Sequence, residues 1–348
     1  MMPEEWPIAA PAADRNAPAR HAGRGRLATV RVDFFLNPAD RLTEQERALM
    51  GAMLHCLVGD IADEICAELA RGWVAANDED NAALVERLSQ ARLLDDSDLM
   101  ALLLRRADEE RIATAARARS GRRDARVLQG LVSHSNGGVA AAAMALILAR
   151  GRRRDRFGQC LATFDDLASA TAEKLAQSIA AGFRKELASV HGSAAADSGL
   201  ASATAKLIAR HDPERSIEAL TASIVRLLQE SGSLGDDMIL AAAQEGEAAF
   251  LAEVVAQRSG TQSRWALDEL LSGDPQRVMA LLRMSGFSRE LSAGLLASIG
   301  DLLGIADPGA AIDLFDRMSA DQVEAARTWL ASPEAYRSAV NALGKSNG

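Results

Sequence analysis

Aromatic residues make up only 4% of this 348-residue chain, so Leu, Ala, Ile, Val and Met must fill its interior, as they do in packed helices. The three cysteines, Cys56, Cys66 and Cys160, show no Cys-x-x-Cys spacing and cannot all pair with one another. We therefore expect free, buried thiols in a reducing cytoplasm and no metal site.

Long apolar runs are also missing. The longest candidate, residues 139–149, has 11 residues, whereas a helix that spans a bilayer needs about 20. The amino terminus has no basic segment followed by an apolar one, which a secretory signal would require. These absences predict a cytoplasmic protein without a transmembrane segment.

Motifs of catalysis and cofactor binding are absent too. The sequence contains no Gly-x-Gly-x-x-Gly, no His-Glu-x-x-His and no Gly-x-Ser-x-Gly. The polar turn at 134–138 is the best small-ligand loop, but a plain turn between two helices explains it better. We therefore predict no enzymatic activity and no cofactor.

Helix start signals, in contrast, are frequent. Thr43 and Glu46 form a capping box, in which each side chain satisfies a backbone N–H of the other. Five of the nine prolines follow Asn, Asp or Ser, which places an N-cap residue before a proline at the first helical position; they are Pro38, Pro213, Pro275, Pro308 and Pro333. The fold class predicted is all-α.

Two stretches of the chain resemble each other without a gap, residues 98–141 and residues 237–280. Ten of the 44 aligned pairs are identical, and Arg-Ser-Gly occurs at one place in both, at 119–121 and 258–260. Such self-similarity without catalytic motifs is typical of helical repeat proteins. The prediction is a HEAT-like α-solenoid, or irregular helical repeat, of stacked antiparallel helical hairpins.

Four ranges describe the predicted domain organisation. Residues 1–26 hold four prolines and no periodic apolar pattern, which predicts a disordered tail. Helical repeat regions follow at 27–188 and 200–348. A Ser-, Gly- and Ala-rich break at 189–199 is predicted to be the linker between them.

Three stretches carry a resemblance to a known family: Asp-Phe-Phe-Leu-Asn-Pro at the start of 33–50, Leu-Leu-Asp-Asp-Ser-Asp in 93–104, and Met-Ile-Leu-Ala-Ala-Ala in 238–251. In these stretches the chain resembles an uncharacterised bacterial family, domain of unknown function 2336, from about residue 30 to its end. The resemblance implies HEAT-like helical repeats and a cytoplasmic protein, and it supplies no catalytic residues.

Positive charge is concentrated in one part of the sequence. Residues 105–156 contain 13 arginines and five acids, an excess of eight positive charges in a chain whose net charge is −9. One interpretation is that these arginines simply solvate helix ends and loops, where they also favour the helix dipole. The other is an anion-binding patch, because like charges at this density repel unless a partner neutralises them; the members of this patch are Arg117, Arg119, Arg122, Arg123, Arg126, Arg150, Arg152, Arg153, Arg154 and Arg156.

The leading functional hypothesis is a non-enzymatic helical scaffold, regulatory in role, that binds an acidic face or a phosphorylated segment of another protein. The alternative is a binder of nucleic acid or another polyanion through the patch. Few aromatics for base stacking and an isoelectric point near 5.2 argue against the alternative.

Overall fold

Helices account for nearly all of the chain that the computed structural model describes, which is residues 42–70, 81–120 and 126–333 together with 336, 337, 339, 340 and 343. Within these ranges the only extended pairing is an isolated bridge between Arg154 and Cys160. The all-α prediction is therefore confirmed. The helices are α1 (Glu44–Ala70), α2 (Asn81–Gln90), α3 (Ser97–Ser120), α4 (Arg126–Leu131), α5 (Gly137–Arg152), α6 (Ser169–His191), α7 (Ser193–Arg210), α8 (Ile217–Glu230), α9 (Asp236–Glu245), α10 (Ala248–Ser259), α11 (Ser263–Leu270), α12 (Pro275–Met284), α13 (Arg289–Ile299), α14 (Pro308–Arg317) and α15 (Ala320–Ala331).

Capping residues set the helix starts largely as the sequence predicts. The Thr43–Glu46 box is present, with the backbone N–H of Thr43 donating to Glu46 Oε2 over 2.7 Å. Asp274 and Asp307 cap α12 and α14, each with a proline at the first helical position. Asp212–Pro213 differs, since it begins a single 3₁₀ turn, and Ser216 then caps α8. In the turn at 134–138, the Asn136 side chain caps α5.

The two similar segments have matching helix boundaries with one exception. At the offset of 139 residues, the start of α3 corresponds to the start of α9, and α4 and α11 end at equivalent positions. In the first segment, however, α3 is one continuous helix. In the second, Gly246 adopts φ 72° and divides the equivalent helix into α9 and α10. Gly260 ends α10 in the same left-handed conformation, and its counterpart Gly121 lies outside the described residues.

The predicted linker between the two helical regions differs from what the structure has at that position. The range 189–199, predicted as a linker, instead lies in two helices, because α6 continues to His191 and α7 begins at Ser193. Gly192, with φ 83°, makes the turn in a single residue, so the Ala-rich sequence after it can enter the next helix. The predicted tail at 1–26 lies outside the described residues.

Side-chain burial joins α3, α4 and α5 to the helices from α8 to α15 in one continuous core. Its members are mainly Leu, Ala, Ile, Val and Met, as the low aromatic content predicts. No helix in the described ranges combines the length and the apolar character that crossing a bilayer requires. None of the three cysteines, all of which the structure describes, is in a disulfide. The prediction of burial is wrong for Cys56, which is exposed, and Cys66 and Cys160 are only half-buried.

Candidate functional site: an arginine-lined cavity

The structure separates the ten arginines of the predicted patch. Arg122 and Arg123 lie outside the described residues. Arg119 pairs with Asp301 of α13's C-terminal turn, and the guanidinium carbon of Arg156 lies 4.7 Å from the centre of the Phe157 ring. Arg152 is exposed. The five that remain meet at one cavity: Arg117, Arg126, Arg150, Arg153 and Arg154.

This cavity has a volume of about 600 Å³ and lies where the two similar segments meet. One wall is α3; the others are the start of α4, the end of α5 with the loop after it, and the turn between α9 and α10. Its charged lining consists of six arginines and four glutamates, an excess of two positive charges when all are ionised: Arg106, Arg117, Arg126, Arg150, Arg153 and Arg154, with Glu109, Glu110, Glu245 and Glu247. Small apolar residues complete the lining, among them Ala113, Ala241, Ala248 and Ala249.

Glu110 holds two of the arginines at the α3 wall. Its carboxylate accepts hydrogen bonds from Arg117 Nη2 over 2.9 Å and from Arg154 Nη2 over 2.8 Å. Burial opposes ionisation of this carboxyl, but the two guanidinium groups outweigh it and lower the pKa of Glu110. Arg117 and Arg154 are therefore neutralised by a shared anion at the cavity wall.

A neighbouring wall is built around Gly246, whose turn packs against α3. Glu247, which is only 9% exposed, accepts a hydrogen bond from Arg150 Nη1 over 2.6 Å. Because its carboxylate is turned toward Arg150, Glu247 stands at the N-cap position of α10 without capping that helix through its side chain. The left-handed turn thus presents an uncapped helix start to the cavity.

Glu245, on the other side of the same turn, caps α4. It accepts the backbone N–H groups of Arg126 over 3.0 Å and Val127 over 3.1 Å. Burial raises the pKa of Glu245, although these two donors oppose the effect. Among the described residues, no carboxylate lies within ion-pair distance of the exposed Arg126 side chain.

A buried charge network lies beneath the cavity. Arg106, which is 2% exposed, donates to Glu218 over 2.6 Å, to Glu109 over 2.9 Å and to Asp166 over 3.4 Å. Arg153 Nε donates to Asp166 over 2.7 Å. The network joins α3, α8 and the loops between α5 and α6, so it fixes the arginine wall in place.

One nitrogen of this network has no partner. Arg106 Nε is buried without a hydrogen bond among the described residues, and so is Glu218 Oε1. Unpaired buried polar atoms cost free energy, and native proteins usually satisfy them. Others lie away from the cavity, such as Trp265 Nε1 in α11 and Ser292 Oγ in α13.

Sequence reasoning located half of this site. The local excess of arginine signals the patch, and five of its ten members line the cavity. Arg106, Glu245 and Glu247 were missed as site residues. The carboxylate partners could not be assigned because they lie far away in the chain, as Glu247 does at 97 residues from Arg150. The one available signal was Gly246 inside an otherwise helical pattern.

Cys160 lines the cavity, so the rate at which its thiol is alkylated measures how accessible the cavity is. Burial raises the pKa of its thiol to about 11, whereas Cys56 is exposed. We expect iodoacetamide at pH 8 to label Cys56 first. Labelling of Cys160 should then accelerate about tenfold per pH unit up to pH 10, since the thiolate is the reactive form. Mass spectrometry of the tryptic peptides checks this, and equal rates at the two thiols at pH 8 would contradict the placement of Cys160.

The comparisons with known proteins identify a family but no activity. The family model described as "Uncharacterised protein conserved in bacteria (DUF2336)" matches residues 86–328, more than half of the chain. The matched range contains the stretches at 93–104 and 238–251 and leaves out the one at 33–50, so it is narrower than the sequence resemblance. It includes every residue that lines the cavity. No curated protein and no solved structure matches the sequence.

Proposed function

We propose that this chain, which belongs to the bacterial family DUF2336, is a non-enzymatic, HEAT-like helical scaffold in the cytoplasm that binds another protein, with a regulatory role. An acidic or phosphorylated segment of the partner enters the arginine-lined cavity. The observation that supports this proposal is the convergence of six arginines on one cavity. Guanidinium groups suit carboxylates and phosphates because their donors match the oxygens of both.

The neighbourhood of the cavity favours a protein partner. Phe157, in the loop that also supplies Arg154, is 75% exposed. Its ring centre lies 4.7 Å from the guanidinium carbon of Arg156, so it adds apolar contact beside the arginines, as protein interfaces do. A nucleic acid backbone needs a continuous exposed basic surface instead. The recessed arginines, most of them paired with carboxylates, are a poorer match for that alternative.

Three variants test the proposal. Arg126→Glu changes an exposed cavity residue, Phe157→Ser removes apolar contact, and Lys185→Glu makes the same charge change on α6, away from the cavity. Partners are captured from a bacterial lysate with and without nuclease treatment, identified by mass spectrometry, and purified for titration. We expect Arg126→Glu to weaken partner binding by about 10–100-fold, the worth of a charge-assisted hydrogen bond.

The controls separate the two partner classes. For a protein partner, Phe157→Ser weakens binding as well, Lys185→Glu does not, and the affinity falls only modestly with salt. A polyanion partner would show nuclease-sensitive capture, no effect of Phe157→Ser, and a steep linear dependence of log affinity on log salt. That second pattern would replace the protein-binding proposal by the nucleic acid alternative. Equal losses for Arg126→Glu and Lys185→Glu would rule out the cavity as the contact site.

A further inference from the structure

We infer that the cavity is a phosphate-binding site, in which Arg126, Arg150 and the first turn of α10 hold a phosphate group and the Glu247 carboxylate gives up Arg150 to it. The inference rests on the proposed function and specifies its ligand chemistry. The ligand is a phosphorylated group with a body, because a cavity of about 600 Å³ is much larger than phosphate alone.

Several hydrogen-bond donors converge on the cavity. Arg126 has no ion-pair partner among the described residues, and the ion pair of Arg150 there is with Glu247. The turn at Gly246 adds the start of α10, which no side chain caps. The N–H groups of Gly246, Glu247 and Ala248 donate to carbonyls within the turn, so among the lining residues of this turn Ala249 offers its N–H to the cavity. Backbone N–H groups at a helix start favour anions, and phosphate most of all because it has several acceptor oxygens.

The charge of the ligand distinguishes a phosphate from a carboxylate at this site. Glu247 already provides Arg150 with a carboxylate at 2.6 Å. A carboxylate ligand would replace it with an equivalent group and gain little. A phosphate monoester carries about −1.5 to −2 charges at neutral pH and three strong acceptor oxygens. It therefore offers Arg126 and Arg150 more negative charge and more acceptor oxygens than one carboxylate does, and can outcompete Glu247.

The lining of the cavity also limits which chemical group can carry the phosphate. None of the described lining residues is aromatic, so these residues offer no ring on which a nucleobase could stack. Four alanines, Ala113, Ala241, Ala248 and Ala249, leave room next to the charged groups. This lining suits a phosphorylated aliphatic chain, which is either the side chain of a phosphoserine or phosphothreonine in a partner or a small phosphorylated metabolite.

Titration calorimetry on the full chain tests the inference with defined probes. The phosphopeptide acetyl-Ala-phosphoSer-Ala-amide is compared with its unphosphorylated form, with the same peptide carrying Glu, and with glycerol phosphate. We expect the phosphorylated probes to bind at least tenfold more tightly than the unphosphorylated and Glu peptides. Preference for the phosphopeptide over glycerol phosphate identifies a protein source, and the reverse preference identifies a small molecule.

Variants give results that a purely structural role for these residues would not produce. Arg126→Gln should weaken binding of the preferred probe at least tenfold. Glu247→Gln should strengthen it about tenfold, because it removes the competing charge from Arg150. Lys185→Gln serves as the control and should leave the affinity unchanged. Circular dichroism confirms that each variant is folded, and Glu247→Gln carries the test if Arg126→Gln is not.

Several outcomes would overturn the inference. They are the absence of saturable binding of either phosphorylated probe by the wild-type chain, equal affinity for the Glu peptide, or no gain in affinity in Glu247→Gln. If a captured protein partner binds equally well after phosphatase treatment, the scaffold proposal stands and the phosphate site is rejected. If the phosphorylated probes bind and no protein partner is captured, the phosphate site stands and the scaffold proposal is rejected.

Discussion

Replacement of Asp166 by Ala is expected to lower the free energy of unfolding by about 3–5 kcal/mol, the usual cost of removing one partner from a buried ion pair. The Asp166 side chain has no solvent exposure and accepts hydrogen bonds from Arg106 and Arg153. It also accepts the backbone N–H groups of Thr163 and Ile217. Its removal leaves two buried guanidinium groups without their common anion.

Urea denaturation at neutral pH measures this loss, and an exposed pair provides the control. Asp197 accepts hydrogen bonds from Arg184 over 2.6 and 3.0 Å, but about half of each side chain is exposed. Asp197→Ala should therefore leave the midpoint of denaturation almost unchanged, because water screens the pair. An equally small effect in Asp166→Ala would mean that the buried network does not stabilise the fold.

The effect of Asp166 also depends on pH. Burial opposes ionisation of this carboxyl, but Arg106 and Arg153 outweigh it, so the pKa of Asp166 lies below its ordinary value. Its stabilisation is then complete above the unfolded-state pKa of about 4 and is lost as the pH falls through the lower folded-state pKa. The stability difference between wild type and Asp166→Ala should be constant near neutral pH and shrink below about pH 4.

Gly246→Ala is the second substitution with a large expected effect, a loss of about 3 kcal/mol or more in unfolding free energy. Gly246 has φ 72°, and an added Cβ would lie 2.8 Å from Ala116 Cβ, 2.9 Å from the Ile112 carbonyl oxygen and 3.0 Å from Ala113 Cα. The left-handed conformation alone costs an alanine about 1–2 kcal/mol. Contact with the α3 backbone adds to this, because a helix backbone cannot move aside as a side chain can.

Gly260 offers a matched control for that substitution. Its φ is 74°, nearly the same, yet nothing lies within 4 Å of an added Cβ. Gly260→Ala should therefore cost only the conformational part, about 1–2 kcal/mol. The stability losses of the two variants are measured by thermal melts. The difference between them is the contribution from packing of the α9–α10 turn against α3. Equal losses at the two glycines would show that this turn does not pack closely against α3.

Local signals made much of the fold predictable. The capping box at Thr43 and the Asp-Pro pairs before α12 and α14 begin helices because the side chain and the ring act on their own backbone. The range 189–199 was predicted to be a linker because it is rich in Ser, Gly and Ala. That composition does not show that Gly192 alone makes the turn between two helices. Local signals such as these mark most helix starts, but they do not predict how many residues the turn before a helix contains.

The site was less predictable because it depends on which helices meet. Arginine density marked the region, but apolar periodicity could not show that α3 packs on the turn at Gly246 or that Asp166 would bury two guanidinium groups. An exposed patch was expected where the chain has a recessed cavity with paired walls. Whether these arginines bind an anion stays a prediction.

The interruption at Gly246 bears on stoichiometry. In the first of the two similar segments the equivalent residue is Ala107, in the middle of α3, where every backbone N–H group is used within the helix. A helix start exists only at the second position, so the internal similarity does not create two equivalent sites. Titrations should therefore saturate at one ligand per chain, and the binding curve should show no cooperativity within a single chain.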